Sequence, residues 1–545
     1  MGVVNVAPSP AVRARGSLAG LLGAASSLVV LELVALADAT GTSVLEAVGN
    51  RFVERFAASL KEIAIALFGT GDKAALQIGT VVIALAVGAL VGSRAAERPN
   101  LVLATFAGFG LLGMVAAADD PLASLPVAVV GCALAALVGA AVTLGLVGRW
   151  TSEQQDAPAD GADGADGAVD AVEAATAHGA AGDVPRRSVL VNAGVLGGLL
   201  LLGVGVARTT RDAMRSAAST VSRALPRPVR TVPVPEDPLD LVEPLGSPPL
   251  EGLSPFVTPT ADFFRIDTAL RVPIVDVDTW ELRVTGLVDR ELVLTYDDLL
   301  GRDHVEVPIT IQCVSNEVGG ELIGTARWLG VPLADVLADA GVQPKAEQLV
   351  GESVDGFTAG FPVQDALDGR EALIAVGMNG RPLTPVHGYP VRLIVPGLYG
   401  YVSATKWLSE IRLTTWEEEG FWIPRGWSRL GPIKTQSRID VPRRGVQLTP
   451  GAQAVAGVAW APHRGITRVE VRVDEGPWSE ATIGPTTTED TWVQWWWRWE
   501  ATPGEHQLQI RATDADGVIQ TAETAEPAPD GATGYHTRTV TVVEA

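Results

Sequence analysis

The sequence predicts a bundle of five apolar membrane helices, then a mixed α/β domain and a C-terminal β-sandwich. The 545 residues combine a mean hydropathy of +0.25 with a net charge of −22. These values conflict in one water-soluble domain, but not if apolar and charged residues occupy different stretches. The long apolar stretches all lie in the first 210 residues, and short period-two segments separated by turn signals follow. The sequence therefore describes a membrane protein with a large soluble part.

Five stretches are each long enough to cross a hydrocarbon core of about 30 Å. Their many small residues favour close packing of helices in lipid. They are Ser17–Ala37, Ala74–Gly92, Leu101–Ala118, Leu122–Val147 and Ser188–Ala207. Glu32 is the one ionisable residue inside them, and no other stretch offers it a basic partner. It is therefore either a functional group or a neutral, hydrogen-bonded carboxyl of the bundle.

Changes in composition divide the chain into six parts. We expect a four-helix membrane region (1–150), an acidic disordered linker (151–185), a fifth membrane helix (186–210), a proline-rich tether (211–252), the α/β domain (253–440) and the sandwich (441–545). Arg186 and Arg187 directly precede the fifth helix and resemble a twin-arginine export signal, although the positive-inside rule explains them almost as economically. With the flanking arginines inside, the sequence predicts a multi-pass protein of the cell membrane whose soluble domains are extracytoplasmic.

The composition excludes several classes of function. The chain has 41 Lys and Arg against 63 Asp and Glu, which argues against a nucleic-acid partner because phosphate contacts require basic residues. Only two cysteines occur, which excludes a disulfide framework and an all-thiolate zinc or iron–sulfur site. None of the six histidines lies in an apolar stretch. The membrane part is therefore expected to be an anchor or docking surface. It is not expected to carry electrons across the membrane through a haem that two histidines ligate.

Cys313 is the one cysteine outside the apolar stretches, since the other is Cys132. It ends a predicted strand, Pro308–Cys313, and the following Val314–Gly320 is rich in polar residues and glycine. A lone cysteine in this position is a buried structural thiol, a nucleophile or a metal ligand. A Cys–His hydrolase would need an oriented histidine, and His387 is a candidate without a supporting pattern.

Six spaced motifs follow one another in the second half of the chain. They are Phe263–Arg265 with Arg271–Pro273, Thr310–Asn316, Ala326–Leu337, Asn379–Leu383, His387–Gly397 and Ser403–Leu408. In this order they resemble the motifs of the sulfite oxidase family of molybdopterin enzymes, and the likeness extends from Phe263 to the C-terminus.

The resemblance implies a sulfite-oxidase-like domain that holds molybdenum through the Cys313 thiolate and the dithiolene of molybdopterin. A soft thiolate suits such a metal, and the cofactor performs oxygen-atom transfer while the protein orients it. The catalytic residues implied are Cys313 and Arg265. The residues implied in cofactor binding are Arg265, Asp267, Asn316, His387, Arg392, Ser403 and Lys406.

The same resemblance implies an immunoglobulin-like fold for the C-terminal sandwich, of the kind that forms homodimers. It also implies a small sulfur-containing substrate, sulfite first, with reduction of a sulfoxide such as oxidised methionine as the alternative. A separate electron-transfer partner, a cytochrome or a quinone-linked protein, is expected because no haem domain is evident. A membrane sensor with an inert redox domain is the alternative outside enzymes.

Three departures from the family pattern bear on the substrate. Relatives that act on sulfite carry Arg-Asn-His where this chain has Arg265-Ile266-Asp267, and two arginines where it has Glu317-Val318. Trp422 and Trp427 stand near the place of a late tyrosine. Acids near the metal would repel a dianion, so we expect weak sulfite activity and better turnover of a neutral sulfoxide if Glu317 lines the pocket.

Overall fold

The computed structural model describes residues 10–38, 41–52, 72–155, 198, 202–203, 205–211, 213–214, 223–235, 250–269 and 271–544. The chain forms two compact units. Unit 1 contains the residues up to Thr220 together with Ala269–Arg271, and unit 2 contains Val221–Thr268 and Val272–Ala545. The six predicted segment boundaries stay predictions.

Unit 1 is built from apolar helices. They are α1 (Pro10–Val34), α2 (Asp72–Gly92), α3 (Pro99–Asp119) and α4 (Leu125–Gln155). In the described part of the chain, three helical stretches are long and apolar enough to cross a membrane, namely Pro10–Asp38, Pro99–Asp119 and Leu125–Trp150. Three of the five predicted membrane helices are thus found among the described residues. The described apolar part of α2 is Leu76–Gly92, and Ser188–Ala207 lies mostly outside the described residues.

Small residues bring α1 and α2 into close contact. A side chain at Gly20 or Gly92 would overlap the backbone of the opposite helix, as expected for helices that pack through glycine. Glu32 is buried on α1, and Arg208 Nη2 lies 4.0 Å from its Oε1. Glu32 therefore has a basic neighbour, which the sequence did not indicate because Arg208 lies just beyond the fifth apolar stretch.

Unit 2 begins with a region of eleven strands. They are β1 (Arg230–Thr231), β2 (Glu281–Gly286), β3 (Leu292–Thr295), β4 (Val305–Gln312), β5 (Ile323–Pro332), β6 (Gln348–Ser353), β7 (Thr358–Pro362), β8 (Leu373–Met378), β9 (Arg381–Pro382), β10 (Arg392–Ile394) and β11 (Leu408–Thr414). Its helices are short, namely α5 (Tyr296–Leu300), α6 (Leu333–Ala340) and α7 (Gly400–Ser403). Thr295 and Asp298 form a capping box at the start of α5.

These strands form two mixed sheets. One has the order β1-β4-β5-β8-β10, with β9 beside β8, and the other has the order β3-β2-β11-β6-β7. The antiparallel ladder of β4 and β5 pairs Gln312 with Ile323 and thereby fixes where the cysteine segment leaves the sheet. A continuous apolar core lies between the two sheets and includes Ile309, Trp328, Leu393 and Ile411.

The C-terminal part of unit 2 is a β-sandwich. Its strands are β12 (Gln436–Val441), β13 (Gln447–Leu448), β14 (Gly451–Trp460), β15 (Ile466–Val473), β16 (Ser479–Glu480), β17 (Thr482–Ile483), β18 (Val493–Ala501), β19 (Gly504–Asp514) and β20 (Thr537–Val542). The two sheets have the orders β12-β14-β18-β17 and β13-β20-β19-β15-β16. The predicted sandwich is confirmed, whereas its immunoglobulin-like character stays a prediction. Trp495 and Trp499 lie in its core.

Candidate active site

Cys313 lies directly after β4, at the start of a tight turn. Its N–H donates to Leu322 O at 2.9 Å, and its carbonyl accepts from Asn316 N–H at 3.0 Å. The residue is 8% exposed. Backbone bonds on both sides therefore fix the position of the thiol near the surface of the domain.

Asn316 provides an unused hydrogen-bond donor beside this turn. Its side chain is 1% exposed, and Oδ1 accepts from Leu322 N–H at 2.7 Å. In the described part of the chain, the buried Nδ2 has no partner. A Cβ on Gly320 would lie 2.6 Å from Asn316 Oδ1, so a glycine is required there. An unpaired buried donor is costly and points to a group that the site is built to receive.

Arg392 is a second buried group with an unused donor. Its Nη1 donates to His387 O at 3.2 Å, and its guanidinium carbon lies 5.2 Å from the centre of the Trp328 ring. Nε is buried and has no partner among the described residues. Burial lowers the pKa of Arg392 to about 9, so the side chain still carries a charge at neutral pH. An anion would stabilise this charge and bind its free N–H.

His387 ends the short 3₁₀ turn Pro385–His387 and is neutral. Burial lowers its pKa to about 4, and the charges of Arg392 and Lys406 act in the same direction. Its Nε2 lies 3.0 Å from the carbonyl of Thr260, which can only accept. Nε2 therefore carries the proton, and Nδ1 is left as an acceptor.

Lys406 forms an ion pair with Asp267. Its Nζ lies 3.0 Å from Asp267 Oδ2 and donates to Val386 O at 3.3 Å. Arg265 Nε donates to the same carboxylate oxygen at 2.9 Å. Burial lowers the pKa of Lys406 to about 8, and Asp267 opposes this shift. Two cations therefore compensate Asp267, which weakens the expectation that this acid repels a dianionic substrate.

Gly388 allows Lys406 to approach the histidine turn. Its φ is +103°, in the left-handed region that favours glycine. A Cβ at this position would lie 3.0 Å from Lys406 Cβ. The turn therefore brings His387 and Lys406 together because residue 388 has no side chain.

Helix α7 connects the turn Cys313–Gly320, here called the cysteine turn, with the cationic cluster formed by Arg392 and Lys406. At its start, a Cβ on Gly400 would lie 3.8 Å from Gln312 O, beside the cysteine. After its end, Ala404 O accepts from Arg392 Nη2 at 3.4 Å. Ser403 directs its hydroxyl to Leu398 O and Tyr399 O, at 3.3 and 3.0 Å. This hydroxyl is engaged within its own turn, so its role toward the pterin stays a prediction.

Two residues of this region were not identified from the sequence. Tyr399 is fully buried, and burial raises its pKa to about 12 while the nearby Cys313 contributes in the same direction. Asp355 follows β6, and burial raises its pKa, with Asp267 adding to the shift and Lys406 opposing it. Neither residue belongs to a recognisable pattern, because each reaches the site only through the pairing of distant strands.

The residues present fit molybdopterin with its metal. The buried donors Arg392 Nε and Asn316 Nδ2 await acceptors, and Lys406 adds a second cation, a set that suits an anionic phosphate. The thiol of Cys313 suits a soft metal. In the described part of the chain, no group of three His, Cys, Asp or Glu side chains is arranged to hold a metal ion, so the protein would provide a single thiolate and the cofactor would provide the other ligands.

Comparison with known proteins agrees with this geometry. Residues 269–422 match the family described as the oxidoreductase molybdopterin binding domain. Sulfite oxidase of Gallus gallus is 30% identical over 327 residues, which are 50% of this chain and 70% of that protein. The chain belongs to the sulfite oxidase family. The predicted family and its molybdenum–molybdopterin cofactor are confirmed, as is the assignment to molybdenum-dependent oxidoreductases.

Two further known proteins are similar to this chain. Mitochondrial sulfite oxidase of Homo sapiens is 31% identical over 332 residues, which are 52% of this chain and 60% of the human protein. The chain thus spans less than two thirds of the human protein's length. The crystal structure of the sulfane dehydrogenase SoxCD from Paracoccus pantotrophus, 24% identical, covers 58% of this chain and 91% of that chain with a TM-score of 0.48.

Proposed function

We propose that this protein is a membrane-anchored enzyme that transfers an oxygen atom to or from a small sulfur compound, with sulfite as the first candidate substrate. The observation that carries the proposal is the thiol of Cys313, which a backbone-bonded turn presents beside the unpaired amide of Asn316. The relatives named sulfite oxidase support sulfite as the substrate.

The side chains of the site have separate tasks in this proposal. Cys313 would ligate molybdenum, and the bound cofactor would supply the oxygen-atom transfer. Arg392 and Lys406 would bind the phosphate of the pterin, while the neutral His387 would hydrogen-bond the pterin through Nδ1. Arg265, whose Nε lies 2.9 Å from Asp267 Oδ2, would hold Asp267 against Lys406 and so keep the charge of this acid away from the substrate.

Sulfite oxidation requires a partner that accepts electrons. Sulfite and water become sulfate with release of two protons and two electrons, and a separate cytochrome or quinone-linked protein would accept the electrons. The membrane helices would anchor the enzyme near such a partner, with the catalytic domain extracytoplasmic and the sandwich as the homodimer contact.

Reduction of a sulfoxide is the second candidate function. Glu317 and Val318 occupy the turn after Cys313, where a sulfite site would need cations. The nearby Arg438 is engaged, since it donates to Gly320 O and Ser254 Oγ at 2.7 Å each and to Asp440 Oδ1 at 2.6 Å. These contacts leave less positive charge for a dianion and favour a neutral oxide.

Steady-state kinetics of the molybdenum-loaded protein distinguish the two directions. Sulfite oxidation is measured with ferricyanide as the acceptor, and methionine sulfoxide reduction with a reduced viologen as the donor. Because Glu317→Arg replaces a repulsive charge by an attractive one, it should raise kcat/KM for sulfite about tenfold, which corresponds to about 1.4 kcal/mol. Glu321→Arg changes the exposed acid at the end of the same turn and is the matched control.

The outcomes of these measurements are distinct. No turnover of either substrate by protein that contains molybdenum would refute oxygen-atom transfer on small sulfur compounds. Purified protein that lacks molybdenum would favour the inert, sensory alternative. Efficient sulfite oxidation that Glu317→Arg leaves unchanged would show that Glu317 does not face the substrate.

A further inference from the structure

The C-terminal sandwich contacts both ends of the cysteine turn. At the first end, Gln312 Nε2 donates to Gln436 Oε1 at 3.0 Å, and Trp460 Nε1 donates to Gln312 Oε1 at 2.9 Å. At the second end, Arg438 Nη1 donates to Gly320 O. The residues of the sandwich that contact the cysteine turn therefore form one wall of the candidate active site.

His536 extends this wall to the middle of the turn. Gly319 has φ of +78°, and a Cβ on it would overlap the Cδ2–Nε2 edge of the His536 ring. The histidine therefore lies directly against the backbone between Val318 and Gly320. It comes from the segment just before β20, more than 200 residues after the cysteine.

Hydrogen bonding determines the tautomer of this histidine. Ile439 N–H donates to His536 Nδ1 at 2.9 Å, so Nδ1 carries no proton in the neutral ring. Burial lowers the pKa of His536 to about 4, and Arg538 and Arg438 contribute to the decrease. The ring is therefore neutral at pH 7 and carries its proton on Nε2. The described residues give Nε2 no hydrogen-bond partner.

We propose that His536 is a specificity-determining residue of this site and donates its Nε2–H to an oxygen atom of the sulfur substrate. The inference rests on the proposed function, since it places the substrate above the cysteine turn. A neutral donor binds an S–O oxygen whether or not the molecule is charged. The side chains of Glu317 and Val318 offer no hydrogen-bond donor. His536 thus supplies a donor to the turn that carries them.

Two substitutions test the roles of the two ring nitrogens separately. His536→Asn keeps an acceptor at the position of Nδ1 but removes the distal N–H, whereas His536→Gln places an amide N–H near the position of Nε2. The probe is sulfate, the product of sulfite oxidation. Its Kd is measured by titration calorimetry on the full-length, detergent-solubilised, molybdenum-loaded protein, with kcat and KM for sulfite measured in parallel.

Loss of one hydrogen bond should weaken sulfate binding about tenfold in His536→Asn, with KM rising and kcat nearly kept, while His536→Gln stays within about threefold of wild type. His506→Asn, on the edge of the sandwich, is the control and should change neither value. Molybdenum content and the unfolding midpoint establish that each variant is loaded and folded.

Several results would overturn the proposal. These are a wild-type protein that does not bind sulfate, a His536→Asn variant that binds it normally, or equal losses in both variants. Equal losses would mean that the ring only supports the turn. If sulfate binding depends on His536 as expected but sulfite is not oxidised, the proposed function fails while the donor assignment stands.

Discussion

At the residue scale, the site depends on a few side chains whose state is set by burial. Cys313 is held by backbone bonds at 2.9 and 3.0 Å, and these bonds do not depend on the identity of its side chain. Arg392 lies on β10 and Lys406 lies just before β11, and both would bind the pterin through charge. Metal ligation and pterin binding should therefore be separable by mutation.

Cys313→Ser tests this separation. A hydroxyl is a harder ligand than a thiolate, so we expect loss of molybdenum and of turnover while pterin remains bound through Arg392 and Lys406. Metal and pterin contents of the purified variant measure the two effects separately. Cys132→Ser, in α4, is the control and should retain both. Full turnover by Cys313→Ser would contradict the assignment of the metal ligand.

The buried neutral histidines predict a loss of stability in acid. The pKa of His536 is about 4 in the folded protein and about 6.5 in an unfolded chain. Between these values only the unfolded chain takes up the proton, so the stability that His536 contributes is complete above pH 6.5 and is lost as the pH falls toward 4. The loss should be of order 1–3 kcal/mol.

The measurement compares unfolding midpoints at pH 7 and pH 5. His536→Gln should show a smaller decrease on acidification than the wild type. His506 provides a control of opposite sign, because its hydrogen bond to Asp474 raises its pKa. That pair adds stability at low pH and loses it as the pH rises, so His506→Gln should show a larger decrease than the wild type. Identical pH responses of the three proteins would contradict the prediction.

At the element scale, the turn that contains His387 depends on the glycine that follows it. Gly388→Ala would impose a left-handed residue with a side chain, at a cost of about 1–2 kcal/mol, and would also push on Lys406. We expect reduced pterin content as well as lower stability. Gly369→Ala is the matched control, since its φ is +97° and no atom lies within 4 Å of the added Cβ.

The two glycine variants separate backbone strain from displacement. Gly369→Ala should lower the unfolding midpoint by a similar amount without changing the pterin content. If both variants lose pterin equally, general destabilisation and not the position of Lys406 would be responsible.

The elements that could be predicted from the sequence are those with local signals. The helix at Tyr296–Leu300 follows its capping residue, and the strands β15 and β19 follow period-two alternation. Apolar stretches predicted the helices of unit 1, and three of the five predicted stretches form helices long and apolar enough to cross a membrane in the described part of the chain.

The candidate site was predictable only through the order of its motifs. His387 and Arg392 are five residues apart and share one motif, whereas Lys406 and Asp267 are 139 residues apart and meet only in the folded chain. The engagement of Ser403 with its own turn, the position of Asp355 and the reach of His536 have no local signal. They follow from strand pairing and from the packing of the sandwich on the catalytic domain.

At the scale of the whole molecule, the proposed function joins an acidic, cofactor-binding unit and a helical anchor in one chain. Three helical stretches of unit 1 are long and apolar enough to serve as that anchor. The predicted twin-arginine signal, Arg186-Arg187, lies outside the described residues. It follows the last of these helices and precedes unit 2, where a signal for export of a folded domain would have to stand.

Replacement of both arginines by lysine tests this arrangement. Lysine preserves the positive charge, so a pair that acts only through the positive-inside rule should work unchanged. A translocase that reads the arginines themselves should instead fail, because the twin-arginine signal is recognised as a motif. We therefore expect Arg186→Lys with Arg187→Lys to leave unit 2 inside the cell while the helices of unit 1 still insert. Protease added to intact spheroplasts would then digest unit 2 of the wild type but not of the variant. Arg149→Lys, at the end of α4, should behave as the wild type, and equal digestion of all three proteins would show that the pair only orients the chain.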